Sequence, residues 1–145
     1  MKGYKFRLQK LLDIRIDEEE ECKRKFQKAQ AVKEEVENKL DLLKNNYKKY
    51  NNIGLRDSII DRKIKQQYLI ALNSSIEITA LDLKDKEKIV EEVRVDLTQK
   101  QVNRKTVQTL KDKSLKNFIK EQNLIEQRAN DEFALYGFLR NRERR

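Results

Sequence analysis

Apolar side chains in residues 22–50 fall at alternating steps of four and three. Cys22, Phe26, Ala29, Lys33, Val36, Leu40, Leu43, Tyr47 and Tyr50 make the series, with one lysine inside it. That spacing is the a/d seam of a coiled coil. Extended backwards, the same register reaches Glu19, Arg15, Leu12 and Leu8, so the seam turns polar beside the acidic run 17–21. Polar seam residues cost stability and fix register. A second series begins at Leu69 and continues through Leu72, Ile76, Thr79, Leu83, Lys86, Val90, Val93 and Leu97. Beyond it the strict register meets Lys100, Arg104, Val107 and Lys111. Apolar seam residues resume at Phe118 and Ile125, and the stripe then shifts by one residue through Ala129, Tyr136 and Leu139. A drifting stripe suits an ordinary 3.6-residue helix or a local change of supercoil.

The two series predict two helices. Helix 1 is expected over about 5–51 and helix 2 over about 58–140, with a turn at about 52–57 and a basic tail at 140–145. Asn51, Asn52 and Gly54 tolerate the left-handed backbone that ends helices, and Asp57 or Ser58 is a suitable N-cap for the second. The expected fold is all-α: a long two-helix antiparallel coiled-coil hairpin forming a single domain. Folding at the turn brings Leu43 near Leu72, Leu40 near Ile76 and Val36 near Thr79, so paired residue numbers sum to about 115. Helix 1 then runs out opposite residue 110 or so, and helix 2 is expected to overhang it from 111 onward. An overhang carrying Phe118, Ile119, Leu124, Ile125, Phe133 and Phe138 exposes apolar surface, which marks a partner or self-association site.

Composition agrees with a rod and disfavours a globule: 41% of the 145 residues are charged and 37% hydrophobic, with no Pro, no Trp and three Gly. Such a chain can bury a narrow seam but not a thick core. Scattered apolar residues would signal disorder; here they are periodic. The net charge of +9 is concentrated towards the chain ends: residues 1–51 carry +4, 52–99 carry −1 and 100–145 carry +6. That excess attracts acidic partners without naming them.

Catalytic chemistry is not expected. The absence of His removes the commonest general base and metal ligand. One cysteine, Cys22, allows neither an internal disulfide nor a thiolate metal site, and its seam position makes it a packed thiol. The glycines stand alone at 3, 54 and 137, so no phosphate loop exists. No cofactor is expected. Basic clusters at 23–25 and 140–145 are candidates for phosphate contact, but most basic groups alternate with acids, the pattern of a solvated coiled-coil face. No secretory signal or membrane span is expected, and the chain reads as cytoplasmic.

Three stretches resemble the flagellar type III export protein family FliJ, in its Gram-positive form. They are Tyr4-Lys-Phe-Arg-Leu-Gln-Lys-Leu-Leu-Asp-Ile-Arg15, Gln66-Gln67-Tyr68-Leu69 followed by Leu72, and Asp131-Glu132-Phe133-Ala134. Length, the break near one-third of the chain and the basic end agree, and the resemblance covers the whole chain. It implies a non-enzymatic component of the flagellar export apparatus, similar to the gamma-subunit stalk of rotary ATPases. Its implied roles are promoting assembly of the export-ATPase ring, contacting the cytoplasmic domain of the export gate and escorting export chaperones. Its implied partners also include the regulator of that ATPase. Its implied place is the cytoplasm, peripherally associated with the inner face of the cell membrane, in service of motility and chemotaxis.

Carried onto this chain, the family's gate-binding surface falls on Leu43, Tyr47 and Tyr50 of helix 1 and Tyr68, Leu72, Ser75 and Thr79 of helix 2. Several of these are also seam positions, where internal packing is the competing role. For the ATPase ring the candidates are Tyr4, Phe6 and Leu8 at one end of the chain. At the other they are Phe118, Ile125, Phe133, Tyr136 and Phe138, with Arg140 and Arg142 steering towards acidic loops. The competing readings are the corresponding stalk of a virulence-type secretion system, and a generic coiled-coil adaptor or basic nucleic-acid-associated protein.

Overall fold

From Gln9 to Tyr50 the chain is one α-helix, α1, and from Ile59 to Glu143 a second, α2. These come from a computed structural model that describes residues 3–52 and 57–145. α1 contains neither Pro nor Gly and is rich in Glu, Lys and Leu, which lose little freedom in a helix. Lys48 and Lys49 occupy its last turn, where the carbonyl ends of the helix favour positive charge. The expected start near residue 5 is displaced to Gln9. Residues 4–6 instead have no regular structure, and 7–8 form a turn in which the Gln9 amide donates to the Phe6 carbonyl at 3.2 Å.

Ser58 caps α2: the Asp61 amide donates to its hydroxyl at 3.2 Å, which satisfies one of the unpaired donors of the first turn. Asp57, the other candidate, accepts from Lys65 Nζ at 2.6 Å. The expected role of Gly54 lies outside the described residues. α2 passes through Gly137 and includes most of the expected basic tail. No strand occurs among the described residues.

The chain divides into two compact units: residues 18–100, and residues 1–17 with 101–145. In the first, α1 and α2 run antiparallel, since Cys22 meets Asp96 and Tyr50 meets Tyr68. The faces in contact are those of the two seams. Cys22, Leu40, Leu72 and Thr79 are buried, and Phe26, Val36, Leu43, Leu83, Val90 and Leu97 are half-buried. The seam lysines keep their stems inside and turn their ammonium groups outward. Lys33 reaches Glu37 at 3.7 Å and Lys86 reaches Asp82 at 3.9 Å, each on its own helix. Glu19 is buried on the seam and is met by Lys23 at 3.4 Å.

The offset differs from expectation. The residue numbers of Cys22 and Asp96, and of Tyr50 and Tyr68, each sum to 118 rather than about 115. The difference is almost one helical turn. A repeating seam determines which faces meet, but every slip by one seam step of three or four residues presents a similar seam again. End contacts such as the tyrosine pair select among them.

In the second unit Leu12 and Val107 are buried and Arg15, Arg104 and Lys111 are half-buried. The segment before α1 continues along α2. The Tyr4 hydroxyl donates to the Lys111 carbonyl at 3.4 Å, and its ring lies 5.4 Å from that of Phe118 at 52°. The expectation of an uncovered α2 from residue 111 is therefore corrected. An extended or turned segment covers about 3.3 Å per residue against 1.5 Å in a helix, so residues 4–8 reach further than a helix would. The uncovered part begins after Phe118. From there only Gln122 and Ala129 are half-buried, and residues 130–145 are all exposed.

Candidate interaction surfaces

Three surfaces carry apolar side chains that the helices do not use up. In the unit of residues 18–100, Tyr50 ends α1 and Tyr68 follows the second turn of α2. Their rings meet edge to face, with centroids 5.3 Å apart and planes at 89°. Both remain exposed on their outer edges. Lys49 Nζ lies 5.5 Å from the Tyr50 ring centre, within cation–π range. Of the other candidates on this surface, Ser75 is exposed and Leu43 and Tyr47 are half-buried. Leu72 and Thr79 are each only 6% exposed. Those two side chains fill the seam, so a partner at this surface meets what they support.

The second surface is an open groove in the other unit. Tyr4 and Phe118 form one side, and Leu110, Ser114 and Asn117 line it with Glu121. Tyr4 and Phe118 were among the candidates from sequence; Leu110 and Asn117 were not. Their signal was present: positions 110, 114, 117 and 121 repeat the four-three spacing beside the main stripe. Phe6 is half-buried nearby in sequence, and Leu8 is exposed at the rim of the helix start.

The third surface is the free stretch of α2. Phe133, Tyr136 and Phe138 are 74%, 67% and 64% exposed, and Ile125 is exposed with them. Ile125 and Tyr136 lie on one face, since eleven residues make close to three helical turns. Phe138 points to a different side and lines a shallow depression with Asn141, Arg142 and Arg145. Arg140 and Arg142 are exposed in the last turn, where cations are favoured.

Reactive chemistry is sparse. Among the described residues no group of His, Cys, Asp and Glu is placed to hold a metal ion. None of their helices is long and apolar enough to cross a membrane. The Cys22 thiol donates to Asp96 Oδ2 at 3.4 Å, and both its burial and that hydrogen bond raise its pKa above the ordinary thiol value. A thiol held neutral is a poor nucleophile and metal ligand.

A two-helix coiled coil with aromatic and basic groups standing off its faces is the build of a protein that works by touching other proteins. Its family is the flagellar FliJ protein family: the model of that family, described as flagellar FliJ protein, matches residues 4–143, and the chain belongs to it. Comparison with curated proteins and with solved structures gives no match. Membership makes the chain a component of the flagellar export apparatus.

Proposed function

We propose that this chain acts as a non-enzymatic stalk and coupling factor of flagellar export. It promotes assembly of the export-ATPase ring, contacts the cytoplasmic domain of the export gate and escorts export chaperones. It works at the inner face of the cell membrane, beside the ATPase and its regulator. The observation that carries this reading is the family match over residues 4–143, together with an aromatic stripe left uncovered on α2.

The gate surface is assigned to Tyr50, Tyr68 and Ser75, with Tyr47 and Leu43 at its edge and Leu72 and Thr79 as its support. Tyrosine offers a large, rigid, amphipathic contact area and is frequent at binding hot spots. The ATPase surface is assigned to Tyr4, Phe6, Leu8 and Phe118, and to Ile125, Phe133, Tyr136 and Phe138 with Arg140 and Arg142. Exposed cations speed encounter with acidic surfaces, and the aromatic groups supply affinity.

Truncation tests the assignment. A chain ending after Gln122 keeps Tyr4 and Phe118 together. It is expected to retain the circular dichroism of a folded coiled coil and to lose binding to the export ATPase of the same organism. Undiminished binding by that truncation rules out α2 beyond residue 122 as the ATPase surface.

A further inference from the structure

Beyond Phe118 the seam spacing continues along α2, and nothing among the described residues lies opposite it. Phe118, Gln122, Ile125, Ala129, Glu132, Tyr136 and Leu139 follow at steps of four and three. Phe133 and Leu135 flank this stripe, and both are largely exposed. A heptad stripe of this kind is suited to a second helix of the same period.

Charge indicates which helix. Residues 121–132 hold four acidic groups and one basic group, a net −3; residues 133–145 hold four basic groups and one acidic group, a net +3. Two copies of the stretch laid parallel would stack −3 on −3 and +3 on +3. Laid antiparallel, each acidic half lies along the basic half of the other, and the charges cancel. Like-charge juxtaposition disfavours the first arrangement and opposite charge favours the second.

We infer that the free protein self-associates through residues 119–145 of α2, as an antiparallel pair with a second copy of this chain. Centring the pair on Phe133 sets the two Phe133 rings against each other. It also sets Glu126 opposite Arg140 of the second copy, twice by symmetry, since Glu126, Phe133 and Arg140 are seven residues apart on one flank. Tyr136 then lies near Glu132 of the second copy, and the phenol can donate to that carboxylate. An isologous contact of this kind closes on itself and stops at two copies. The pair covers Ile125, Phe133 and Tyr136, which are assigned above to the ATPase, so the protein would present those three only after dissociating. No export protein takes part in this pairing, so its failure would leave the family assignment untouched.

The test is sedimentation of the full chain across concentration, at low and at high salt, with charge-reversed variants. Arg140→Glu with Arg142→Glu reverses the basic half; Glu121→Arg with Glu126→Arg reverses the acidic half. All four positions are exposed on one helix, and circular dichroism checks that helix content is kept. The expected result is a wild-type dimer weakened by salt, each reversal alone weakening it about tenfold or more, and the combined reversal restoring it. A monomer at every concentration overturns the inference. So does a dimer indifferent to either reversal, or one that the combined reversal fails to restore.

Discussion

Tyr50 and Tyr68 meet edge to face where α1 ends and α2 has just begun, with ring centroids 5.3 Å apart. The edge of one ring meets the face of the other, and both rings stay partly in solvent. The pair therefore serves two purposes. It fixes the offset of the helices, and it builds an aromatic surface from two separate elements.

Tyr68→Ala is expected to lower the unfolding free energy by about 0.5–1.5 kcal/mol, the usual worth of an aromatic pair beyond its burial. It should also weaken binding to the cytoplasmic domain of the export gate. Thermal melts and a gate-binding titration on the same preparation separate the two effects. Lost stability with gate binding intact would confine the pair to holding the helices in register.

The seam predicts a cost at two buried positions, for different reasons. Leu72→Ala removes apolar packing from the seam and should cost about 2–5 kcal/mol, towards the low end because a thin seam can close over the gap. Glu19→Leu removes a buried carboxylate that Lys23 meets at 3.4 Å and that has other partners besides. It is expected to be destabilising, because removing one member of a buried charged group leaves its partners unmatched. Urea unfolding of the full chain gives both numbers. If Glu19→Leu is neutral or stabilising, the carboxylate is not a structural requirement of this seam.

Cys22 links stability to pH. Burial first, and the hydrogen bond to Asp96 second, raise its pKa above 9.0 in the folded chain. The folded state then holds its proton where the unfolded chain has released it, so the thiol's contribution is present below pH 9.0 and is lost as pH rises through the folded value. The comparison is with Cys22→Ala. Wild type should lose more stability above pH 9 than that variant does, and its thiol should react slowly with an alkylating reagent at neutral pH. Parallel stability curves, or rapid alkylation of the folded protein, would contradict the buried-thiol description.

Much of this architecture was legible in the sequence, and the reasons are physical. The four-three repeats named the buried faces of both helices, including the polar positions at Glu19, Lys33 and Lys86, because a helix can bury only one stripe. The offset was not legible: a seam repeats, and the tyrosine pair that selects one offset involves two residues from different helices. The reach of the N-terminal segment was missed for a related reason. Residues 5–8 were read as helix, but Tyr4 just before them is held by the Lys111 carbonyl and the Phe118 ring, and no local preference announces a partner more than a hundred residues away. Asp96 beside Cys22 was likewise invisible, since an acidic residue next to Leu97 reads as one more solvated group. Of the candidate surface residues, Leu72 and Thr79 had been named as both seam and contact positions, and their burial places their side chains in the seam.

The most direct measurement is a titration of the full chain into the flagellar export ATPase of the same organism, following hydrolysis rate and particle size together. A stalk that promotes ring assembly predicts that both rise in parallel, to ring-sized particles, and that the chain ending after Gln122 has neither effect. Unchanged rate and unchanged size, with the coiled coil confirmed as folded, would contradict the stalk role and leave gate contact and chaperone escort as what this chain contributes to export.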